Sequence, residues 1–242
     1  MVFKIQANMD PAHRDRVAFL RICSGHFKRG MRLKICRNGK EIRTNNALSF
    51  LSQRRDILDE AFPGDIIGLP NHGLLRLGDS LSEGEELQFT GLPFFAPEIF
   101  RMVESADPMR SKQLRIGLMQ LGEEGAIQVF RPIAGGPMLL GAFGQLQFEV
   151  VSHRLKSEYG AEVRLLPARF NLARWVSSDD PLILKKFIQE NSHRMAEDVV
   201  NAPVFLAAHK SELDVAQQRW EAIRFHALRE HAGLVYQSAL AG

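Results

Sequence analysis

The sequence predicts a mixed fold in which a β-barrel or β-sandwich precedes α/β units with the strand and helix order β-α-β-β-α-β. Up to about Thr90, short apolar runs are separated by closely spaced turn residues, which leaves no room for a long helix. Pro93 and Pro97 then bracket a segment that can neither continue a strand ladder nor start a helix easily. From Glu98 onward, extended stretches alternate with stretches that have the helical period.

The first block, residues 1–91, is predicted to be the barrel domain. Its expected strands are Val2–Ala7, Arg16–Ile22, Met31–Cys36 and Asp65–Leu69. The turns between them contain residues that supply a positive or a fixed φ: Gly25, Gly30, Asn38-Gly39, Pro63-Gly64, Asn71-His72-Gly73 and Gly78-Asp79. Many short strands without an intervening helix favour a closed barrel or a sandwich.

The second block, residues 92–168, is predicted to be a unit of the ferredoxin-like order. Asp107-Pro108 is a helix start, and Gly160 ends a second helix that begins at Gln145. The two helices place apolar residues toward a core: Leu114, Leu118 and Leu121 on the first, and Phe148, Val151 and Leu155 on the second. The expected strands are 99–105, 126–131, 138–142 and 162–166.

The third block, residues 169–231, is predicted to repeat that order as a second α/β subdomain, on topology alone. The expected strands are 173–176, 194–197, 204–208 and 222–225, the middle two forming a hairpin. One helix starts at Asp180-Pro181, and Ser211 with Asp214 indicates a capping box for the next. The chain is predicted to fray from Arg229 onward, with 232–242 as a tail.

Positive charge is concentrated in one segment of the chain. The formal net charge is +3, but residues 13–43 carry +8 and residues 44–242 carry −5. A basic segment on a nearly neutral body indicates a polyanionic partner, because each neutralised phosphate releases counterions. Basic residues also alternate with apolar ones wherever one face of a sheet is wet, so charge alone leaves both interpretations open.

No residue pattern indicates catalysis or metal binding. The sequence contains no G-x-x-x-x-G-K-[ST] loop for nucleotide phosphates, no H-E-x-x-H and no Cys-x-x-Cys. Cys23 and Cys36 lie inside predicted strands, where buried thiols are expected. Trp175 and Trp220 are expected to be core anchors. No apolar run of about 18 residues occurs, and the first residues do not open a secretory signal, so we expect a soluble, cytoplasmic protein.

Several motifs resemble domains of the translational GTPases. Asp15–Met31 resembles the second domain of that superfamily, as do Pro63–Gly68, Asn71-His72-Gly73 and Leu77-Gly78-Asp79. Leu121–Arg131 and Gly144–Val151 resemble its third domain. A more specific likeness joins the chain to the bacterial GTP-dependent peptide chain release factor three family, through Phe3–Pro11, Arg154–Tyr159, Ala173–Val176 and Arg229-Glu230-His231.

The resemblance implies a translation-factor-type barrel followed by ferredoxin-like units, in the region that follows the GTPase domain of that family. The chain is then an excised piece or a gene fragment that is not itself an enzyme, with GTP or GDP and Mg²⁺ bound by a domain outside it. The implied role is to couple nucleotide state to ribosome docking, so that codon-reading class I release factors leave after the peptide is freed. The implied partners are rRNA, ribosomal proteins and the GTPase domain in cis, with class I factors met indirectly on the ribosome. We expect no membrane partner and a monomer.

The basic segment supplies the candidates for rRNA phosphate contact. They are Lys28, Arg29, Arg32, Lys34, Arg37, Lys40 and Arg43, and Arg37 is among the first choices with Arg32, Lys34, Lys40 and Arg43. Pro93 and Pro97 are the candidates for an interdomain hinge.

Two other functions stay open at this point. The chain could be the equivalent region of another translational GTPase, although the block from Trp175 to His231, in place of an extended fourth domain, speaks against an elongation-factor-like relative. It could also be an independent small-molecule enzyme built on the ferredoxin-like unit. Such an enzyme requires a cleft with a perturbed acid, base or thiol, and the sequence shows no such constellation.

Overall fold

A computed structural model describes residues 1–7, 16–49, 56–87, 89 and 93–230. The chain divides into two compact units, one formed mainly by Met1–Pro93 and the other by Phe94–Arg229. The strands that begin in the first unit are β1 Val2–Ala7, β2 Arg16–Arg21, β3 Phe27–Lys28, β4 Arg32–Ile35, β5 Glu41–Arg43, β6 Leu48–Ser49, β7 Asp56–Ile57, β8 Glu60–Ala61, β9 Ile66–Pro70, β10 Leu81–Ser82 and β11 Pro93–Phe95.

The first unit is the β-rich barrel that the sequence predicts. A five-stranded antiparallel sheet has the order β1-β2-β9-β6-β7, beside a three-stranded sheet β10-β4-β5 and the pair β3-β8. Alternate residues of the strands point inward, so that Ile5, Leu20, Ile35 and Ile67 are almost completely buried. The buried side chains of these short strands form the hydrophobic core of the unit, and the turns that join the strands lie around it.

Among its described residues, the second unit contains four α-helices and the remaining strands. The strands are β12 Ile99–Ser105, β13 Gln128–Pro132, β14 Leu139–Ala142, β15 Val163–Pro167, β16 Leu172–Ser177, β17 Met195–Glu197, β18 Pro203–Ala207, β19 Arg224–His226 and β20 Leu228–Glu230. The helices are α1 Ser111–Glu123, α2 Gln145–Tyr159, α3 Pro181–Glu190 and α4 Lys210–Arg219. The two predicted α/β halves share one eight-stranded sheet of order β15-β12-β14-β13-β17-β18-β16-β19, joined where β13 pairs with β17.

Three hydrophobic clusters pack against this sheet, two on the face that the helices cover and one on the opposite face. On one face, α1 and α2 cover Val129 and Leu140, while α3 and α4 cover Val176 and Phe205. The helix-free face carries a third cluster to which strands of both halves contribute, including Phe100, Phe130, Trp175 and Val204. Because side chains from both halves meet in this cluster, it packs the two halves together.

Local signals set the helix ends. The Asp180 carboxylate caps α3 by accepting the amide of Leu182 at 2.8 Å. The Asp107 carboxylate accepts the amide of Met109 at 2.9 Å and caps a short 3-10 helix, Pro108–Arg110, that precedes α1. The predicted capping box at Ser211 is wrong, because His209 is the N-cap of α4. The Glu212 carboxylate instead accepts the amide of Ala208 at 2.8 Å.

The segment around residues 91–97 differs from expectation. Pro93–Phe95 forms β11, which pairs with β20, so the chain does extend a ladder here. The prediction that the chain frays from Arg229 is also wrong, because Arg229 lies in β20 and its side chain is buried. Residues 91, 92 and the predicted tail 232–242 lie outside the described residues.

Pro97 packs against Gly141, and this contact gives a testable prediction. An added Cβ at Gly141 would lie 2.4 Å from Pro97 Cγ and 2.9 Å from Phe130 Cε2. We therefore expect Gly141→Ala to lower the free energy of unfolding by about 1–3 kcal/mol, measured by urea denaturation followed by tryptophan fluorescence. At Gly144 a Cβ meets nothing within 4 Å. The control Gly144→Ala should therefore cost less, at most about 1 kcal/mol for its N-cap position, and equal losses in the two variants would contradict the packing argument.

Candidate nucleic-acid interface

The hairpin of β4 and β5 separates charged from apolar side chains. Arg32 lies opposite Arg43, and Lys34 lies opposite Glu41, in an antiparallel register. Since successive side chains of a strand point to opposite faces, these four residues share one face of the hairpin. The other face carries Leu33, Ile35 and Ile42, of which Ile35 is completely buried.

The turn that joins the two strands adds a further cation. Gly39 has φ +70°, which a glycine adopts without strain. Asn38 Oδ1 accepts the amide of Lys40 at 3.1 Å, and the Lys40 carbonyl accepts the amide of Ile35 at 2.8 Å. The turn thus fixes the backbone at Lys40 and leaves its side chain exposed. We use the name basic face for Arg32, Lys34 and Arg43, which share one side of the hairpin, together with the exposed Lys40 of the turn.

The cations of the basic face have few acidic neighbours. Lys34 Nζ lies 3.9 Å from Glu86, whose side chain is 91% exposed, so that this ion pair is weak. Within the part of the chain that the structure describes, no ion pair engages Arg32, Lys40 or Arg43. Glu41 is the single carboxylate among these strand positions. The basic face therefore offers an exposed concentration of positive charge on a hairpin anchored by its apolar side.

Lys28 and Arg29 are placed differently. Lys28 ends β3 directly opposite Glu60, and Arg29 Nη2 lies 3.2 Å from Asp59. Both cations are exposed, but acidic side chains accompany them. They stay candidates for phosphate contact, outside the basic face.

Arg37 makes contacts within the barrel that the sequence did not predict. Its Nε and Nη2 donate to the two oxygens of Asp79 at 2.7 Å and 3.0 Å, and Nη2 also donates to the Leu74 carbonyl at 3.1 Å. The Asp79 side chain is only 1% exposed. Because its donors are directed at this buried carboxylate, Arg37 is removed from the proposed phosphate-binding set.

The thiols are also placed differently from the prediction. Cys23 is exposed and Cys36 is half-buried, each just beyond the end of its strand. In the described ranges, no group of three or more His, Cys, Asp or Glu side chains could hold a metal ion. None of the described helices is both long enough and apolar enough to cross a membrane.

Titratable groups of the second unit serve its internal packing. Burial, with repulsion from Arg224, lowers the pKa of His226, whose Nε2 lies 2.8 Å from Ser177 Oγ. Burial by itself would lower the pKa of Arg154, but hydrogen bonds to Glu158 and Glu124 raise it above its ordinary value. Arg154 thus links two turns of α2 through Glu158 and connects α2 to the C-terminal end of α1 through Glu124.

A buried ion pair in the second unit escaped the sequence-based reasoning. Arg229 Nε lies 2.9 Å from Asp198 Oδ2, and both side chains are only 6% exposed. Trp175 Nε1 donates to the same oxygen at 3.0 Å, and the Arg229 guanidinium lies 5.0 Å from the Phe94 ring and 5.8 Å from that of Trp175. The three polar residues come from β16, the β17–β18 turn and β20, so that no local spacing could indicate their contact.

The comparisons with known proteins identify the class to which these units belong. A family model described as elongation factor G domain 2 matches residues 1–84, which places the barrel among translation-factor domains. A second model, described as class II release factor RF3, C-terminal domain, matches residues 89–217. The chain belongs to this release factor family.

Relatives from two bacteria agree with this assignment. The chain is 65% identical over 239 residues to peptide chain release factor 3 of Nitrosomonas europaea, and 63% identical over 241 residues to that of Bordetella avium. Each alignment covers 99% of this chain and 45% of the relative, so the chain spans about half the length of these proteins. A crystal structure from Thermus thermophilus matches with a TM-score of 0.59 and 24% identity, over 81% of this chain and 30% of that one, and shows the fold alone.

Proposed function

We propose that this chain is the ribosome-docking and conformational-coupling region of a translation-termination GTPase that promotes dissociation of class I release factors. The observation that carries the proposal is the basic face, an exposed cluster of cations on a rigid hairpin in a translation-factor barrel. Its partner is rRNA, with ribosomal proteins nearby. GTP, GDP and Mg²⁺ belong to a GTPase domain in cis, and the chain carries out no chemistry of its own. The setting is the cytoplasm, and the protein acts as a monomer.

The basic face is suited to contact with the sugar-phosphate backbone of RNA. Lys and Arg neutralise phosphates without reading sequence, and each contact adds to the dependence of affinity on salt. A hairpin anchored by the buried Ile35 holds these cations in place before binding, which reduces the entropy lost on docking.

Coupling requires rigid bodies that can be rearranged. The chain passes between the two compact units at Pro93-Phe94 and again at Arg229-Glu230. Pro97 is buried against Gly141 in the second unit, which makes it unsuitable as a hinge. Pro93 stays the hinge candidate, because it lies at the boundary between the two units.

The phosphate contact is tested by changing the basic face. We expect the fourfold variant Arg32→Gln, Lys34→Gln, Lys40→Gln and Arg43→Gln to weaken ribosome binding at least about tenfold and to flatten its dependence on salt, because about four phosphate contacts are lost. Ribosome pelleting across a salt series measures both quantities.

A matched variant removes the same charge elsewhere. Arg110, Lys112, Arg115 and Lys185 are exposed cations of the second unit, and their replacement by Gln should leave most of the affinity and the salt slope intact. Equal effects of the two fourfold variants would show that net charge, and not the basic face, determines binding.

A further inference from the structure

A cavity of about 380 Å³ lies beside the β4–β5 hairpin in the first unit. Leu69 and Leu75, which are almost completely buried, contribute apolar lining. Exposed side chains of Arg43, Asn46 and His72 also line it. Its volume falls in the range of about 300–1,000 Å³ that is usual for sites of small ligands.

Arg43 belongs both to this cavity and to the basic face. A polyanion whose phosphates lie along the basic face therefore passes next to the cavity. Glu41, which also lines the cavity, lies opposite Lys34 in the hairpin, so that a cation accompanies its negative charge.

The polar groups around the cavity divide into two sets. Asn71 donates to the Leu75 carbonyl at 2.8 Å and accepts the Gly73 and Leu75 amides at 3.0 Å, while Thr44 donates to the Met31 carbonyl at 3.1 Å. These two buried residues hold the loops in place. By contrast, within the described part of the chain no hydrogen bond engages the side chain of Asn46 or His72, which leaves an amide and an imidazole available to a ligand.

We propose that this cavity receives an unpaired base of the RNA whose phosphates contact the basic face. The inference rests on the proposed function and adds a structure-selective contact to a backbone contact that is not selective. The apolar lining of the cavity suits the flat face of a base. The His72 imidazole and the Arg43 guanidinium can stack on the base, and the Asn46 amide can donate a hydrogen bond to the edge of the base and accept one from it. Unpaired nucleotides are favoured over helical ones because they cost least to extrude from a stack.

The test combines two footprints of the 242-residue chain on ribosomes. Hydroxyl radicals report which stretch of rRNA backbone is covered, and base-selective modification reports which unpaired bases are covered. We expect one or two unpaired bases inside the backbone footprint to be protected. In the variant Asn46→Ala, His72→Ala these bases should regain reactivity while the backbone footprint persists, and affinity should fall about fivefold or more with an unchanged salt slope.

The outcomes distinguish the cavity from the proposed function. Base protections that are absent, or that survive the double substitution, would overturn the cavity proposal while the backbone footprint upholds docking. Absence of any footprint would overturn both. Asn46 and His72 are exposed, so their replacement should leave the circular dichroism spectrum unchanged, and His153→Ala on the exposed side of α2 serves as the control that should behave as the unsubstituted chain.

Discussion

Replacing Arg229 by methionine is expected to lower the free energy of unfolding of the second unit by about 3–5 kcal/mol. Methionine keeps much of the side-chain volume but removes the charge, so that the Asp198 carboxylate is left without its cation at a site where both side chains are 6% exposed. The remaining donors to Asp198, which are the Trp175 indole and the amides of Val200 and Ala202, cannot neutralise it.

The measurement is a urea titration followed by tryptophan fluorescence. Both tryptophans of the chain, Trp175 and Trp220, lie in the second unit and therefore report its unfolding. Arg219→Met is the matched control, because the Arg219 side chain is 73% exposed and lies 3.5 Å from Glu190, a pair whose loss costs at most about 1 kcal/mol. The double variant Arg229→Met, Asp198→Asn should lose less than the sum of its single variants, since the uncompensated charge is gone. Additive losses, or a small loss for Arg229→Met, would contradict this account.

Local signals in the sequence predicted helix α2 well, but they did not predict the start of α4. Helix α2 has the predicted bounds because an inward stripe of Phe148, Val151 and Leu155 ends at Gly160, which has φ +62°. The sharing of one sheet by the two α/β halves could not be predicted, because it depends on the pairing of β13 with β17, distant segments whose sequences carry no sign of each other. The predicted fraying at Arg229 was wrong for the same reason, since its partner Asp198 lies in a distant turn.

The candidate interface was partly predictable. The charge concentration and the Asn38-Gly39 turn are properties of adjacent residues and could be read from the sequence, whereas strand β5 after the turn was not among the predicted strands. The alternation of a strand does not tell which basic residue meets a buried carboxylate, so the sequence could not separate Arg37 from Arg32 or Lys40. The cavity joins residues of β5 and of the loop after β9, and only the fold brings these together.

Asp79→Ala is expected to lower the stability of the barrel by about 3 kcal/mol. The Asp79 carboxylate accepts two hydrogen bonds from Arg37 and a third from the amide of Arg76 at 2.8 Å, and the substitution removes all three. Arg37 also donates to the Leu74 carbonyl, so the pair ties the loop from Asn71 to Asp79, which contributes to the cavity, to the end of β4. Loosening of this loop should therefore accompany the loss of stability.

Hydrogen exchange is the suitable measurement, because the first unit contains no tryptophan. Amides of β1, β2 and β4 should lose protection in Asp79→Ala, while the unfolding midpoint from Trp175 and Trp220 should stay unchanged. Asp59→Ala removes the exposed partner of Arg29 and should change protection by at most about 1 kcal/mol. Arg37→Gln should resemble Asp79→Ala in exchange and should leave the salt slope of ribosome binding intact, because Arg37 acts through the fold. A flattened salt slope with unaltered exchange would instead return Arg37 to the phosphate-binding set.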